Sequence, residues 1–273
     1  MRPYRAAFAS RFQQMLQYRS AALAGFATQC WWGGIKVTIL AAFYAGASAS
    51  AAAPMSLEQA ITYTWIAQAL LVLLPWTGDP EVALAVRSGA VAYDRLRPVD
   101  AYAFWYARSA GWLAARALPR AALMVAFAAL LLPLVGAGAW AWRPPADAGA
   151  ALAFALSVGL ALLLATAITM LMNVATVMAL NERGINALLL PLVLVFSGNL
   201  LPLPLFPDAL RGALLAQPFA GLLDIPLRLY SGQLAGAQVP LALTLQLCWI
   251  ALLVTLGRVL LNRAFRALQI QGG

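Results

Sequence analysis

Histidine is absent from this 273-residue chain, and that absence removes whole classes of chemistry at once. A zinc site of the HExxH kind and a nucleophile activated by a histidine base are both excluded. Charge is scarce as well: 10% of residues are charged, against about 25% in an ordinary soluble domain. With 63% hydrophobic residues and a mean hydropathy of +0.81, the chain reads as an integral membrane protein made of several α-helices. Cysteine is limited to Cys30 and Cys248, both inside apolar runs, so no disulfide framework is expected. No Gly-rich loop ending in Lys-Ser or Lys-Thr is present, so the chain has no such means of binding and hydrolysing ATP. The carboxylates are Glu58, Asp79, Glu81, Asp94, Asp100, Asp147, Glu182, Asp208 and Asp224, all placed at helix ends or in loops. A proton- or sodium-coupled carrier usually needs such a group inside the membrane. Neither catalytic residues, a metal site nor a cofactor of its own is expected. The N-terminus lacks the compact apolar core of a cleavable signal.

What is present divides into an amphipathic start, residues 1–20, and a transmembrane part, residues 21–273. In residues 3–20, Phe8, Phe12, Met15 and Leu16 recur at helical spacing, while Arg5, Arg11, Gln14 and Arg19 fall largely elsewhere. That pattern predicts a basic helix lying in the membrane interface, with a targeting segment as the rival reading. Residues 21–45 form the first crossing, and Lys36 within it is expected to snorkel to the outer surface rather than mark a pathway. A small-residue loop, 47–54, leads to a second crossing from Glu58 to near Trp76.

Residues 79–100 are the most polar stretch. Val82, Val86, Ala90 and Tyr93 lie near helical spacing, with Arg87, Asp94, Arg95 and Arg97 between them and Pro98 closing the element. A short amphipathic helix at the cytoplasmic surface fits. From Ala101 to Leu118, mixed arginines and aromatics (Trp105, Tyr106, Arg108, Trp112, Arg116) predict an interfacial stretch before a third crossing at 121–139. After the outer loop Trp140–Asp147, a fourth apolar run continues to Leu180. At about 30 residues, against the roughly 20 a bilayer needs, it should tilt or protrude. Met170, Met172 and Met178 on it read as packing rather than a substrate groove. A sixth crossing is expected at 239–261, with Arg258, Arg263 and Arg266 at its cytoplasmic end.

The fifth segment is the awkward one. An apolar run, 187–195, meets Gly198, Pro202, Pro204 and Pro207 within the stretch from Phe196 to Asp208. Proline removes a backbone donor and clashes with the preceding turn, so one continuous helix cannot pass. Backbone freed at membrane depth must lie against protein or water. Leu200, Leu201, Leu203, Leu205 and Phe206 between the prolines favour a re-entrant or interfacial hairpin over a helix that ends at the outer surface in a Pro-rich loop.

Orientation follows from arginine. With the N-terminus inside, the inner segments hold Arg2, Arg5, Arg11, Arg19, Arg87, Arg95, Arg97, Arg108, Arg116, Arg120, Arg183, Arg258, Arg263 and Arg266. The outer ones hold Arg143, Arg211 and Arg228. The positive-inside rule then gives six crossings with both ends cytoplasmic. For the same reason the net charge of +9 is not read as nucleic-acid binding. The result is a bundle with no engine of its own and a developed cytoplasmic surface.

Val86 to Pro98 (VRSGAVAYDRLRP) resembles the stretch after the second helix in six-helix permeases of the type-2 ABC exporters, a family related to daunorubicin-type drug exporters. Arg87, Ser88, Gly89, Ala92, Tyr93, Leu96, Arg97 and Pro98 carry that likeness. A second signature is Glu182-Arg183-Gly184, followed by Ser197-Gly198, Pro202-Leu203, Phe206-Pro207, Pro218-Phe219, Pro226 and Tyr230-Ser231-Gly232. Asp94-Arg95 departs from the family, which often has an apolar residue there. The resemblance implies a permease in a bacterial cytoplasmic membrane, paired with an identical or related permease and with two copies of a P-loop ATPase that bind ATP and Mg. It implies that an amphiphilic substrate moves outward. Val86, Arg87, Ser88, Gly89, Tyr93, Leu96 and Arg97 would couple to the ATPase, residues 1–20 would be an elbow helix, and Gly198, Pro202, Pro204, Phe206 and Pro207 would form an outer gate. Glu182 and Arg183 read either as a helix-end ion pair or as part of the ATPase contact. The arginine-rich loop has a second reading, a topology determinant anchored to anionic lipid. A non-catalytic membrane scaffold and a lipid-modifying membrane enzyme are the alternative classes.

Overall fold

The computed structural model describes residues 2–46, 55–94 and 96–267, and every regular element among them is helical. The expected loop 47–54 and Arg95 lie outside the described residues. In chain order the helices are α1 (Arg2–Leu16), α2 (Arg19–Ala45), α3 (Leu57–Leu70, extended by a 3-10 turn at Leu71–Leu73) and α4 (Pro80–Arg87). A single turn, Val91–Asp94, precedes α5 (Ala101–Leu134, with a π-helical stretch at Ala126–Leu131). Then come α6 (Ala148–Ala179), α7 (Arg183–Phe196), α8 (Asp208–Ala216), α9 (Asp224–Tyr230) and α10 (Gln238–Ala267).

Local chemistry sets where several of these begin. Ser56 and Gln59 form a reciprocal capping box at α3. Asp79, followed by Pro80, accepts from the Glu81 N–H at α4. Asp100 and Asp147 accept from Ala103 and Ala150, both at 2.7 Å, at α5 and α6. Each satisfies a backbone donor that the first turn leaves without a partner.

Among the described residues, three helices are long and apolar enough to cross a membrane: Ala101–Leu134 (34 residues), Ala148–Ala179 (32) and Gln238–Arg266 (29). α2, with 27 residues, and α3, with 14, are not among them. α7 is apolar but has 14 residues, about 21 Å at the helical rise, short of a hydrocarbon core of about 30 Å. The interfacial stretch expected at 101–118 and the crossing expected at 121–139 are parts of one helix that ends at Leu134. α5 is one helix from Ala101, because Tyr102, Trp105, Ser109, Trp112 and Leu113 in its first half are buried by neighbouring helices.

α6 is the axis of the fold. Its buried residues join one core with Ile66, Leu113, Leu222 and Leu223, and a second core toward its C-terminal end with Val82, Val86, Trp105 and Leu261. α1 lies along α5 so closely that a Cβ on Gly111 would come within 2.5 Å of the Phe8 carbonyl oxygen. Only glycine admits that approach of two backbones. Arg11, expected on the polar side of an interfacial helix, is buried against this packing.

After α7 the chain stays within the bundle. A Cβ on Gly221 would meet Leu164 at 2.7 Å, and Leu164 lies about 24 Å along α6 at about 1.5 Å per residue. The Gln246 amide donates to the Gly221 carbonyl at 2.7 Å and the Trp249 indole to that of Ala216 at 2.9 Å, both from within α10. From there α9 returns along α6, and the Tyr230 carbonyl accepts from Ala146 just before α6 begins.

Candidate functional site

Two regions gather the residues singled out above. The first is built on α4. Asp79 is 1% exposed, and its backbone N–H donates to Asn173 Oδ1 at 2.7 Å while that of Gly78 donates to Asn186 Oδ1 at 3.2 Å. The loop is thereby tied to α6 and α7 through main chain. The Asp79 carboxylate lies 3.4 Å from Arg11 and 3.8 Å from Arg108. Glu81 pairs with the same two arginines. Two cations and two anions from α1, α4 and α5 thus neutralise one another, with Asp79 and Arg11 buried and Glu81 open to solvent. That is the condition under which buried charges are tolerated.

Helical spacing puts Val86 and Tyr93 on one face of a short amphipathic helix, but the fold separates them. Val86 is 9% exposed and packs with Val82, Val91 and Trp105, whereas Tyr93 and Leu96 are 70% and 79% exposed. The physical reason is the break after Arg87. Ser88 caps α4, its Oγ donating to the Leu84 carbonyl at 3.0 Å, and Gly89 turns the chain at φ +74°, a conformation that favours glycine. Helical spacing therefore does not run from Val86 to Tyr93. Arg97 folds back onto its own loop, 3.0 Å from Asp94 and over the Phe104 ring at 4.9 Å. Asp94, the departure from the family pattern, also accepts from the Trp105 indole at 2.9 Å. Its carboxylate is held by the loop itself.

Glu182 forms its ion pair with Arg87, so the two sequence signatures meet in space. The backbone N–H of Glu182 lowers its carboxyl below the ordinary glutamate value, and Arg87 and Arg183 lower it further against an opposing effect of burial. Arg183 starts α7, its N–H donating to Asn181 Oδ1 at 3.0 Å. Nearby, Asp100 pairs with Arg258 at 2.9 Å. Burial raises the Asp100 carboxyl, but the Ala103 N–H and Arg258 outweigh that and leave it below its ordinary value.

The second region is the break after α7. Gly198 has φ +84°, and a Cβ there would lie 2.3 Å from the Tyr63 hydroxyl. Pro202, Leu203 and Pro204 are buried, Phe206 is half-buried and Pro207 is exposed at the start of α8. Beneath them sits Asp224, 0% exposed, accepting from the Tyr63 hydroxyl at 3.2 Å and lying 3.5 Å from Arg228. Lys36 does not run to the surface. Its Nζ donates to the Asn199 carbonyl at 2.5 Å, so α2 holds the break from the other side. The Gln217 amide donates to the last carbonyl of α7, that of Phe196, at 2.8 Å. Reading the sequence missed the burial of Asp224. Its four-residue spacing to Arg228 was the available signal, since that spacing pairs side chains on one helical face.

A family model described as "ABC-2 family transporter protein" matches residues 54–272, which takes in α3 to α10 and, apart from Arg11 and Lys36, the residues of both regions. No curated protein and no solved structure matches the chain.

Proposed function

This chain belongs to the ABC-2 transporter family, and from that membership we propose that it is the permease subunit of an ATP-driven exporter. It crosses the cytoplasmic membrane of a bacterium six times, with both termini inside and α1 as an elbow in the inner interface. A second permease, identical or related, and two copies of a separate P-loop ATPase complete the complex; ATP and Mg are bound by the ATPase. The cargo is amphiphilic or lipid-like, in keeping with a bundle that carries few charges.

The observation that carries the coupling part of this reading is the division of the α4 region into an anchored root and an exposed tip. Asp79 and Val86 fasten the root to α1, α5 and α6, and Tyr93 and Leu96 stand free above it. A force-transmitting element needs both features: apolar anchors for a partner pocket and a rigid connection to the moving bundle. At the outer end, the buried break at Gly198 and Pro204 supports the re-entrant reading of 197–230. Backbone that leaves a helix at membrane depth is tolerated when it is buried in protein, and here Lys36 and Gln217 supply its partners while Tyr63 lies against Gly198.

Affinity purification of the tagged chain from its native host tests this. A P-loop ATPase should copurify, and the reconstituted complex should hydrolyse MgATP faster when an amphiphilic substrate is added. Recovery of the chain without any ATPase under gentle solubilisation would refute the reading.

A further inference from the structure

Where α1 turns into α2, the two helices lean on the middle of α5 and leave a cavity of about 580 Å³. Its walls are mostly apolar, formed by residues such as Met15, Leu23 and Pro119, yet Arg116 and Arg120 also line it. Four residues apart on α5, these arginines share a face, and like charges so placed repel. Arg116 stacks on Trp112 with its guanidinium carbon 4.7 Å from the ring centroid. Stacking occupies the face of the guanidinium and leaves the donors on its edge available. Among the described residues no carboxylate forms an ion pair with Arg116. The Arg120 guanidinium passes over Gly25, where a Cβ would come within 2.5 Å of it. α2 thus has its smallest residue where that cation crosses.

The space continues along the same two helices. A second cavity of about 760 Å³ lies between α2 and α5, lined by Phe26, Cys30, Trp31, Phe127 and Leu131, and Leu123 belongs to both. One end is cationic and the other is apolar. From Arg116 to Leu131 the groove runs about 22 Å at the helical rise. One leaflet with its headgroups is about 20–22 Å thick, so the groove has the length and polarity of a single lipid.

We propose that this groove binds one anionic phospholipid, with its phosphate between Arg116 and Arg120 and an acyl chain along Phe26, Cys30 and Phe127. An anion there relieves the repulsion between the two arginines, and charge-assisted contacts from guanidinium to phosphate are among the stronger hydrogen bonds. The orientation proposed above would put this lipid in the inner leaflet; the binding itself does not rest on that orientation, so the two fail separately.

The test is native mass spectrometry of the full chain in a mild non-ionic detergent, titrated with phosphatidylglycerol or with phosphatidylcholine of the same acyl chains. The wild type should retain one phosphatidylglycerol, bound at least about tenfold more tightly than phosphatidylcholine. Replacing both arginines (Arg116→Gln with Arg120→Gln) should abolish the preference, and Arg116→Lys alone should keep part of it. Ala27→Trp, at an exposed position lining the apolar half, should weaken both lipids while leaving the melting temperature unchanged. Equal affinity for the two lipids in the wild type would overturn the proposal. So would a preference that survives in the double glutamine variant, or displacement of the lipid by its deacylated, water-soluble headgroup.

Discussion

Arg87, the last residue of α4, is ion-paired with Glu182, the residue that precedes α7, across 95 positions of chain. α7 then runs without interruption to Phe196, where the break begins. The pair therefore joins α4 to the helix that leads directly to the buried turn at Gly198. Together with the Gly78 to Asn186 hydrogen bond, it is the contact through which a displacement of α4 would reach α7.

Arg87→Ala and Glu182→Gln should each lower substrate-stimulated ATP hydrolysis, and the double variant should be no worse than the more affected single one. Both sites act through one bond, so their effects are not additive. Because Arg87 is exposed, the difference from wild type should shrink as salt rises. The Glu182 carboxyl lies below its ordinary value, so the pair is intact at neutral pH. It is lost only as pH falls below 4.5 through the lowered value. Additive losses in a double-mutant cycle would show that the pair does not act as a unit.

Tyr93→Ala and Val86→Ala should separate binding from stability. Removing an exposed aromatic anchor should weaken ATPase retention by about 2 kcal/mol or more and leave the melting temperature of the isolated chain unchanged. Val86 is in the core, and its truncation should cost about 1.5 kcal/mol of stability without loosening the ATPase. Thermal melts of the isolated chain and pull-downs of the complex read the two effects independently. If Tyr93→Ala keeps full ATPase retention and transport, the exposed tip is not the docking element.

Asp79→Ala should be among the most damaging single changes at this end of the protein. It leaves the buried Arg11 and its neighbour Arg108 with only the partly exposed Glu81 and also strips the cap from α4. A cost of about 3–5 kcal/mol is typical for breaking a buried pair from one side. Arg143→Ala removes an exposed pair with Glu58 and should cost under about 1 kcal/mol. Unfolding in detergent, followed by tryptophan fluorescence, gives the comparison. Equal stability of the two variants would mean that the buried cluster is not what fastens α4.

Gly198→Ala should disable transport while the protein still reaches the membrane. The added Cβ strains a backbone at φ +84° and collides with Tyr63, at an expected cost of about 1–3 kcal/mol for the backbone alone. Gly34→Ala, inside α2 with no atom within 4 Å of the new Cβ, should be neutral or slightly stabilising. Replacing Pro202, Pro204 and Pro207 together by Ala should likewise reduce transport without preventing insertion. Normal transport in both Gly198→Ala and the triple variant would reduce the break to a passive connection.

Some of this was legible beforehand, and the reason lies in the range of the forces involved. Ser56, Asp79, Asp100 and Asp147 start their helices through bonds to backbone two or three residues away, so the residue type carries the information. Gly198 and the prolines after it stop α7 by sterics confined to adjacent peptide units. The scarcity of charge decided for a membrane, because transfer of apolar surface from water adds up over the whole composition.

The tertiary structure decided what depends on distant partners. Helical spacing put Val86 and Tyr93 together, but a left-handed turn at Gly89 sent one inward and the other outward. Asp224 reads in the sequence as a helix-end or loop carboxylate, but in the fold Tyr63, 161 positions earlier, donates to it. Lys36, which hydropathy sent to the surface, was claimed instead by the carbonyl of Asn199. The sequence by itself determined the class of the protein, the places where helices start and the place where one breaks. Which charged and aromatic groups meet was left to the packing of helices. A buried polar group must find a partner somewhere, and sequence separation does not limit where that partner lies.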